Sequence, residues 1–355
     1  MKKTILVILA FLLMPITLFA LPYGYRDYMR PYGEGTAVFK QDNVTVFLNT
    51  DIQVQLSRPM GVGSTTNTII SYNDAEIKTT VKYDLGDGNY VVGHADIDAY
   101  RGVGITEGRT EVQAAGDDVW VGIGNKTMLL KVGRFATPSA YAGASMAVEG
   151  PRSGIFSRGL YPILQSDQSI GLYTYPAKGW MVNGVYIIEN EFTPTKGGSY
   201  DIAVTHFTTS GLYVQGFLQH ETVVFDPVTQ KAAKLSRSPL SSYSAYGLTG
   251  AYKPKTLGLT ASWSNRENDA QVYEATLIKD ISIGNGDAFT LHVGYGYKDY
   301  NDVTTKDVSG WYGNVMYVLP QAKNVNVFAQ VSSTDETVSG VKTGIGFITG
   351  MRITL

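Results

Sequence analysis

The chain has 355 residues, 29 Lys+Arg against 31 Asp+Glu, a net charge of −2 and no cysteine. The missing thiol excludes disulfides, thiolate metal sites, a cysteine nucleophile and a lipidated N-terminal cysteine. The near balance of charge excludes the basic field that a nucleic-acid partner requires.

Residues 1–20, MKKTILVILAFLLMPITLFA, put Lys2 and Lys3 ahead of an uncharged apolar run. This is the pattern of a cleavable secretory signal, with the cut expected after Ala20. Removing those two lysines leaves 27 basic against 31 acidic residues, a mature net charge of −4. No later stretch approaches the ~20 apolar residues of a membrane helix. The mature chain is therefore either a soluble periplasmic protein or a membrane β-barrel, whose strands show lipid only every second residue. Residues 21–43 are rich in Tyr, Pro and Gly and lie outside any strand pattern. A periplasmic extension, a short plug and a partner contact all fit them.

From Val44 onward the chain alternates. In residues 44–57 the even set is Val44, Val46, Leu48, Thr50, Ile52, Val54 and Leu56, against a largely polar odd set that includes Asp51, Gln53 and Gln55. Residues 289–298 repeat the pattern, with Phe289, Leu291, Val293, Tyr295 and Tyr297 on one side. Period two is the signature of strands. Short Gly/Asn/Asp/Pro turns fall at 85–89, 124–126, 176–179, 209–211, 253–256, 284–287 and 320–323, with the residues that accept positive φ in hairpins. Longer polar connections fall near 58–74, 101–116, 137–166, 190–198, 226–241, 266–270, 300–308 and 334–340. Seven short turns and eight long loops join sixteen strands, and that asymmetry is the mark of an outer-membrane barrel. The expected fold is all-β: a transmembrane 16-stranded antiparallel barrel over residues 44–355 with a wide, wet interior. Tyr90, Tyr100, Tyr173, Trp180, Trp311 and Tyr317 stand near strand ends, where interfacial aromatic girdles sit.

Strand parity selects the pore wall. With Ile77, Val81 and Tyr83 outward, Lys78, Thr80 and Lys82 point inward; with Ala95 and Ile97 outward, His94, Asp96 and Asp98 point inward. Lys131 and Arg134 have opposite parity, and a regular strand sends only one of them inside; parity favours Lys131. The longest connection, 137–166, has a small and apolar centre from Ala140 to Ala147, which suits packing against an inner wall. Its charges are Glu149, Arg152 and Arg158. The chain ends GVKTGIGFITGMRITL, with Ile345, Phe347, Met351, Ile353 and Leu355 on one face and Lys342, Arg352 and glycines on the other. A strand running to the last residue is explained if it closes the barrel against Val44–Leu56.

Chemistry of other kinds is poorly represented. The four histidines, His94, His206, His220 and His292, stand singly in strands. No clustered metal set, GxSxG elbow or phosphate-binding loop is present, so no metal, cofactor or enzymatic activity is expected.

Several segments, taken in order, resemble the general diffusion porins of Gram-negative outer membranes. AEIKTTVKYDLGDGNYVVGHADID is similar to the family's second and third strands, and DDVWVGIGNKTMLLKVGRFATP to its fourth and fifth. SIGLYTYPAKGWMVNGVYI, WYGNVMYVLPQAKNVNVFAQV and GIGFITGMRITL resemble a Tyr-x-x-Pro hairpin, the penultimate hairpin and the closing strand. The resemblance implies a passive, water-filled channel for small hydrophilic solutes and ions. It implies a homotrimer in outer-membrane lipid, inserted by the barrel assembly machinery. It further implies a third loop folded into the lumen, so that Glu149, Arg152 and Arg158 narrow the pore, and it favours Arg134 near the constriction. Gly350, Ile353 and Leu355 match the closing assembly signal, with leucine where the family usually has phenylalanine. The third loop is also less acidic than the family's. A substrate-selective channel, a barrel serving adhesion and a soluble β-sandwich are the alternative readings.

Overall fold

The alternating segments become strands whose apolar set faces out. The computed structural model describes residues 35–58, 68–98, 115–144, 168–189, 198–221, 243–267, 269–284, 287–301, 305–335, 337–338, 341–342 and 344–354. The signal segment, Tyr100, Glu149, Arg152, Arg158 and Leu355 lie outside the described residues.

An initial strand, β1 (Thr36–Gln41), leads through a two-residue turn into β2 (Val44–Arg58). There follow β3 (Ile69–Gly86), β4 (Asn89–Asp98), β5 (Ala115–Gly124), β6 (Met128–Arg134), β7 (Gln168–Ala177) and β8 (Trp180–Glu189). The second half comprises β9 (Ser199–Phe207), β10 (Leu212–Glu221), β11 (Tyr243–Tyr252), β12 (Leu257–Arg266), β13 (Ala270–Gly284), β14 (Asp287–Tyr300), β15 (Val308–Leu319) and β16 (Ala322–Thr334). A small hairpin, β17 (Thr337–Val338) with β18 (Val341–Lys342), precedes the last strand, β19 (Gly346–Thr354).

Strands β2 to β16 pair antiparallel in chain order, and β19 pairs both with β16 and with β2. That last pairing, from Phe347↔Arg58 to Thr354↔Asp51, closes a sixteen-stranded antiparallel barrel. Closure satisfies the edge groups that hydrocarbon would leave without partners. The short turns sit where the sequence places them: Asp87, at φ 54, bends β3 into β4, and Lys255, at φ 66, lies between β11 and β12.

β1 departs from the expected barrel start at Val44. It pairs with Val44–Leu48 of β2, on the edge where β19 has already ended at Asp51, so β1 and β19 lie end to end along one strand. The local signal is a two-residue turn, Asp42–Asn43, with Asp42 at φ 49, between the similar runs TAVF and VTVF.

Faces alternate around the whole wall. Ile77, Val81, Val121, Ile123, Val132, Ile202, Val293 and Met351 are exposed on the outside, an apolar belt suited to lipid. The opposite set points into the barrel. Gly294 shows how tightly that side packs: the Tyr312 ring lies across it, and an added Cβ would meet Tyr312 Cε1 at 2.1 Å.

Candidate functional site

The inner wall divides into sectors. On β3 and β4, Lys78 Nζ lies 2.7 Å from Glu76 Oε2 and 3.1 Å from Asp96 Oδ2, because register sets Lys78 beside Asp96. Thr80 Oγ1 and His94 Nδ1 are 2.8 Å apart, and the His94 ring stacks on Trp120 with centroids 5.3 Å apart. Lys82 Nζ sits 4.6 Å from the centre of the Tyr90 ring. Lys131 is buried, its ammonium 4.0 Å from the Trp120 ring centre, 4.6 Å from Tyr173 and 5.6 Å from Phe135. Cations are attracted to aromatic faces at such range. Asp98 is in register with Glu76 and Ala115. Arg134 is in register with Val119 and has the opposite strand parity to Lys131; it is half-buried, with its Nε enclosed.

Beyond Arg134 the chain passes against inward side chains of later strands. Gly133 has φ 135, and a Cβ there would lie 2.4 Å from the Val119 carbonyl oxygen, a geometry that favours glycine. After Phe135, Thr137 precedes a 3-10 turn, Pro138–Tyr141, which starts with proline, where a missing N–H costs nothing. Ser139 N donates to Asp201 Oδ2 at 2.9 Å. Ser139 Oγ is 2.5 Å from the same oxygen and 2.7 Å from Gln219 Oε1. One hydroxyl proton serves one acceptor, so the carboxylate takes it and the Gln219 amide is turned to donate. The Ala142 carbonyl accepts from Thr249 Oγ1. Ala144 N donates to Glu274 Oε2 at 2.9 Å and Ser262 Oγ at 3.0 Å, while Ala144 O accepts from Thr260 at 2.7 Å and Thr276 at 3.0 Å. Tyr312 Oη, 2.6 Å from Thr276 Oγ1, completes that network as donor.

These partners are the inward side chains of five successive strands, β9 to β13. The segment 139–144 therefore lies against the inner faces of these strands, with Ser139 N, Ala142 O and both backbone groups of Ala144 bonded to the wall.

From β14 round to β2 the wall is mostly uncharged and hydrogen-bonded to itself. His292 Nδ1 lies 2.5 Å from Asn314 Oδ1, the Asn314 amide reaches Gln330 Oε1 at 3.5 Å, and Gln53 Nε2 donates to Gln55 Oε1 at 2.9 Å. At the seam Arg352 of β19 grips Asp51 of β2 with two nitrogens, Nε to Oδ1 at 2.8 Å and Nη2 to Oδ2.

The model of the family described as "Gram-negative porin" matches residues 36–338. The chain is a Gram-negative porin. It is thereby an outer-membrane diffusion channel. The match begins at the first residue of β1, so the extra strand falls within the family's span.

Solved structures resemble this porin in fold. The Salmonella typhi OmpF complex with daunomycin superposes with a TM-score of 0.65 at 10% identity, covering 89% of this chain and 99% of that one. The anion-selective porin from Comamonas acidovorans gives 0.61 at 11% identity, with 88% and 100% covered. The trimer form of in-vitro folded OmpT, an outer membrane protein of Vibrio cholerae, gives 0.60 at 13% identity, with 88% and 100% covered. No curated protein sequence matches the chain.

The porin's inner wall is more closely packed and less polar than alternation suggests. Tyr90, Val92, Trp120, Leu129, Phe135, Tyr173, Val185 and Ile187 form a buried apolar cluster on β4 to β8. Tyr90 and Tyr173 therefore belong to the inside and not to an interfacial girdle, whereas Trp180 and Trp311 are exposed outside. In WMVNGVYIIE the inward set is apolar except for Asn183, much like the outward set, so sequence parity has little contrast to read there. Asp201, Gln219, Thr249, Thr260, Ser262, Glu274 and Thr276 were not foreseeable as anchors. They look like any polar inward residues until residues 139–144 arrive beside them. The hint in the sequence lay in the connection itself, 137–166, whose centre from Ala140 to Ala147 is small and apolar.

Proposed function

We propose that this porin passes small hydrophilic solutes and ions passively through a water-filled lumen, narrowed by the connection 137–166. The observation that carries the reading is the run of 139–144 across the inner faces of β9 to β13, held at both N–H and C=O groups. In this reading Glu149, Arg152 and Arg158 border the narrowest section, and Lys78, Lys82, His94, Asp96, Asp98 and Lys131 line the facing wall, with Arg134 at its rim. Lys78 is balanced by two carboxylates and Lys131 is sheathed by rings, so the expected ion preference is weak. The porin is a channel and not an enzyme. Residues 1–20 act as its export signal, and Gly350, Ile353 and Leu355 serve recognition by the assembly machinery. A homotrimer in outer-membrane lipid is supported by the fold shared with the Vibrio cholerae protein in trimer form.

Planar-bilayer recording of the folded protein tests the reading. Stepwise conductance in KCl, with a reversal potential close to zero across a salt gradient, is expected. Absence of steps from an inserted barrel refutes it.

A further inference from the structure

On β13 a lysine breaks the apolar pattern of the outer wall. Leu277, Lys279 and Ile281 share the outward parity, and Lys279 is in register with Leu257 of β12 and Leu291 of β14. Leu257 and Leu277 are each 49% exposed on the face turned to lipid. A lysine stem can lie along such a surface with its ammonium at headgroup level, whereas a charge deeper in the hydrocarbon is costly. The level is set by the β11–β12 turn: Thr256 O accepts from Asp280 N at 2.8 Å or less, and Lys279 Nζ donates to Thr256 Oγ1 at 3.2 Å. One register step toward the β13–β14 turn, the Phe289 and Tyr317 rings pack with centroids 4.8 Å apart, as interfacial aromatics do. Short turns of an outer-membrane barrel face the periplasm, so these groups stand at the headgroups of the inner leaflet.

The donors there are not used up. Because Thr256 Oγ1 accepts from Lys279, its own proton is left to donate, and the ammonium keeps two further N–H groups. Lys255, one residue earlier, is exposed and has φ 66, a conformation more usual for Gly or Asn, and it brings a second ammonium to the same turn. Among the described residues neither lysine is ion-paired with a carboxylate. The nearest carboxylate in the chain, Asp280, has the opposite parity, pairs with Lys253 at 2.7 Å and accepts from Thr290 at 3.0 Å. Two positive charges and a hydroxyl donor above an aliphatic floor match a phosphate ester that carries acyl chains. A small soluble anion would use the donors and leave the leucines bare.

We propose that Lys279, Thr256 and Lys255 form an outer-wall site for the headgroup of an anionic glycerophospholipid, with Leu257 and Leu277 beneath its acyl chains. The site lies outside the barrel and is independent of what the lumen passes. The test titrates the full folded porin, in mild detergent, with phosphatidylglycerol, phosphatidylcholine and inorganic phosphate in separate arms, and reads lipid retained per chain by native mass spectrometry. Phosphatidylglycerol is expected to be retained with a preference of about tenfold over phosphatidylcholine, as two facing lysines would give. Lys279→Gln and Lys255→Gln are each expected to weaken its retention about fivefold, and Thr256→Val by a smaller factor, with the folded barrel intact. Lys126→Gln and Lys178→Gln, at exposed lysines of other short turns, are expected to change nothing. Equal retention of the two lipids overturns the inference. An equal loss in the Lys126 and Lys178 variants also overturns it, since the attraction is then a diffuse property of the rim. Displacement of the lipid by inorganic phosphate at matching concentration makes the site one for free anions, and the lipid assignment falls.

Discussion

Arg352 and Asp51 join the last barrel strand to the first with a two-point contact, and Asp51 is almost fully buried. A bidentate guanidinium–carboxylate pair of this kind is stronger than a neutral hydrogen bond. Arg352→Ala leaves the carboxylate buried and unpaired, and is expected to cost about 2–3 kcal/mol. A lowered urea midpoint for unfolding of the detergent-solubilised barrel checks this; an unchanged midpoint refutes it. Lys131 behaves differently because its neighbours are rings. Replacing a desolvated charge by an apolar side chain of similar shape is often close to neutral, and the lost attraction to the rings is worth about 1–2 kcal/mol. Lys131→Met is therefore expected to change stability by roughly 1 kcal/mol or less, and Lys131→Ala by about 2–3 kcal/mol, since the packed stem is lost as well. The same unfolding assay separates the two variants.

Among the elements, the run 139–144 and the strand β1 carry the clearest consequences. The former is held at its start by Asp201, which accepts from both Ser139 N and Ser139 Oγ. Asp201→Ala removes both bonds while leaving those at Ala142 and Ala144. Loosening one end of a segment held against the inner wall is expected to raise open-channel current noise without abolishing conductance, and a record indistinguishable from the parent refutes the anchoring role. β1 pairs with β2 below the seam and is exposed along its length. Closure depends on β19 and not on β1. Deleting residues 36–41 is expected to leave a conducting barrel, and failure of that variant to fold would show that β1 is needed for closure.

At the scale of the molecule, the outside is a continuous apolar belt and the inside is divided among charged, aromatic, strapped and amide-rich sectors. Exposed side chains such as Val121, Val293 and Ile123 have no role in a soluble molecule and are ordinary beside lipid or another barrel wall. Chemical cross-linking of the folded porin in mild detergent is expected to capture a species of three chains. A ladder that stops at one chain refutes the trimer.

Period-two alternation, turn chemistry and the rhythm of short and long connections were enough to read sixteen strands, their order and the antiparallel pairing. They act over a few residues, and a closed sheet in lipid has no other way to satisfy its backbone. Parity likewise assigned Lys78, Lys82, His94, Asp96 and Lys131 to one side of their strands. The sequence did not carry what depends on distance across the barrel. Tyr90 and Tyr173 read as girdle residues because an aromatic near a strand end is locally the same inside or out, and β8 hid its inner face because both faces are mostly apolar. Asp201, Glu274 and Thr249 became anchors only when a segment more than 60 residues away in sequence crossed their strands. By itself the sequence determined the wall, since alternation and turns are local properties of the chain. What packs against the inner wall was decided by tertiary structure, because the groups that meet there lie far apart in the chain.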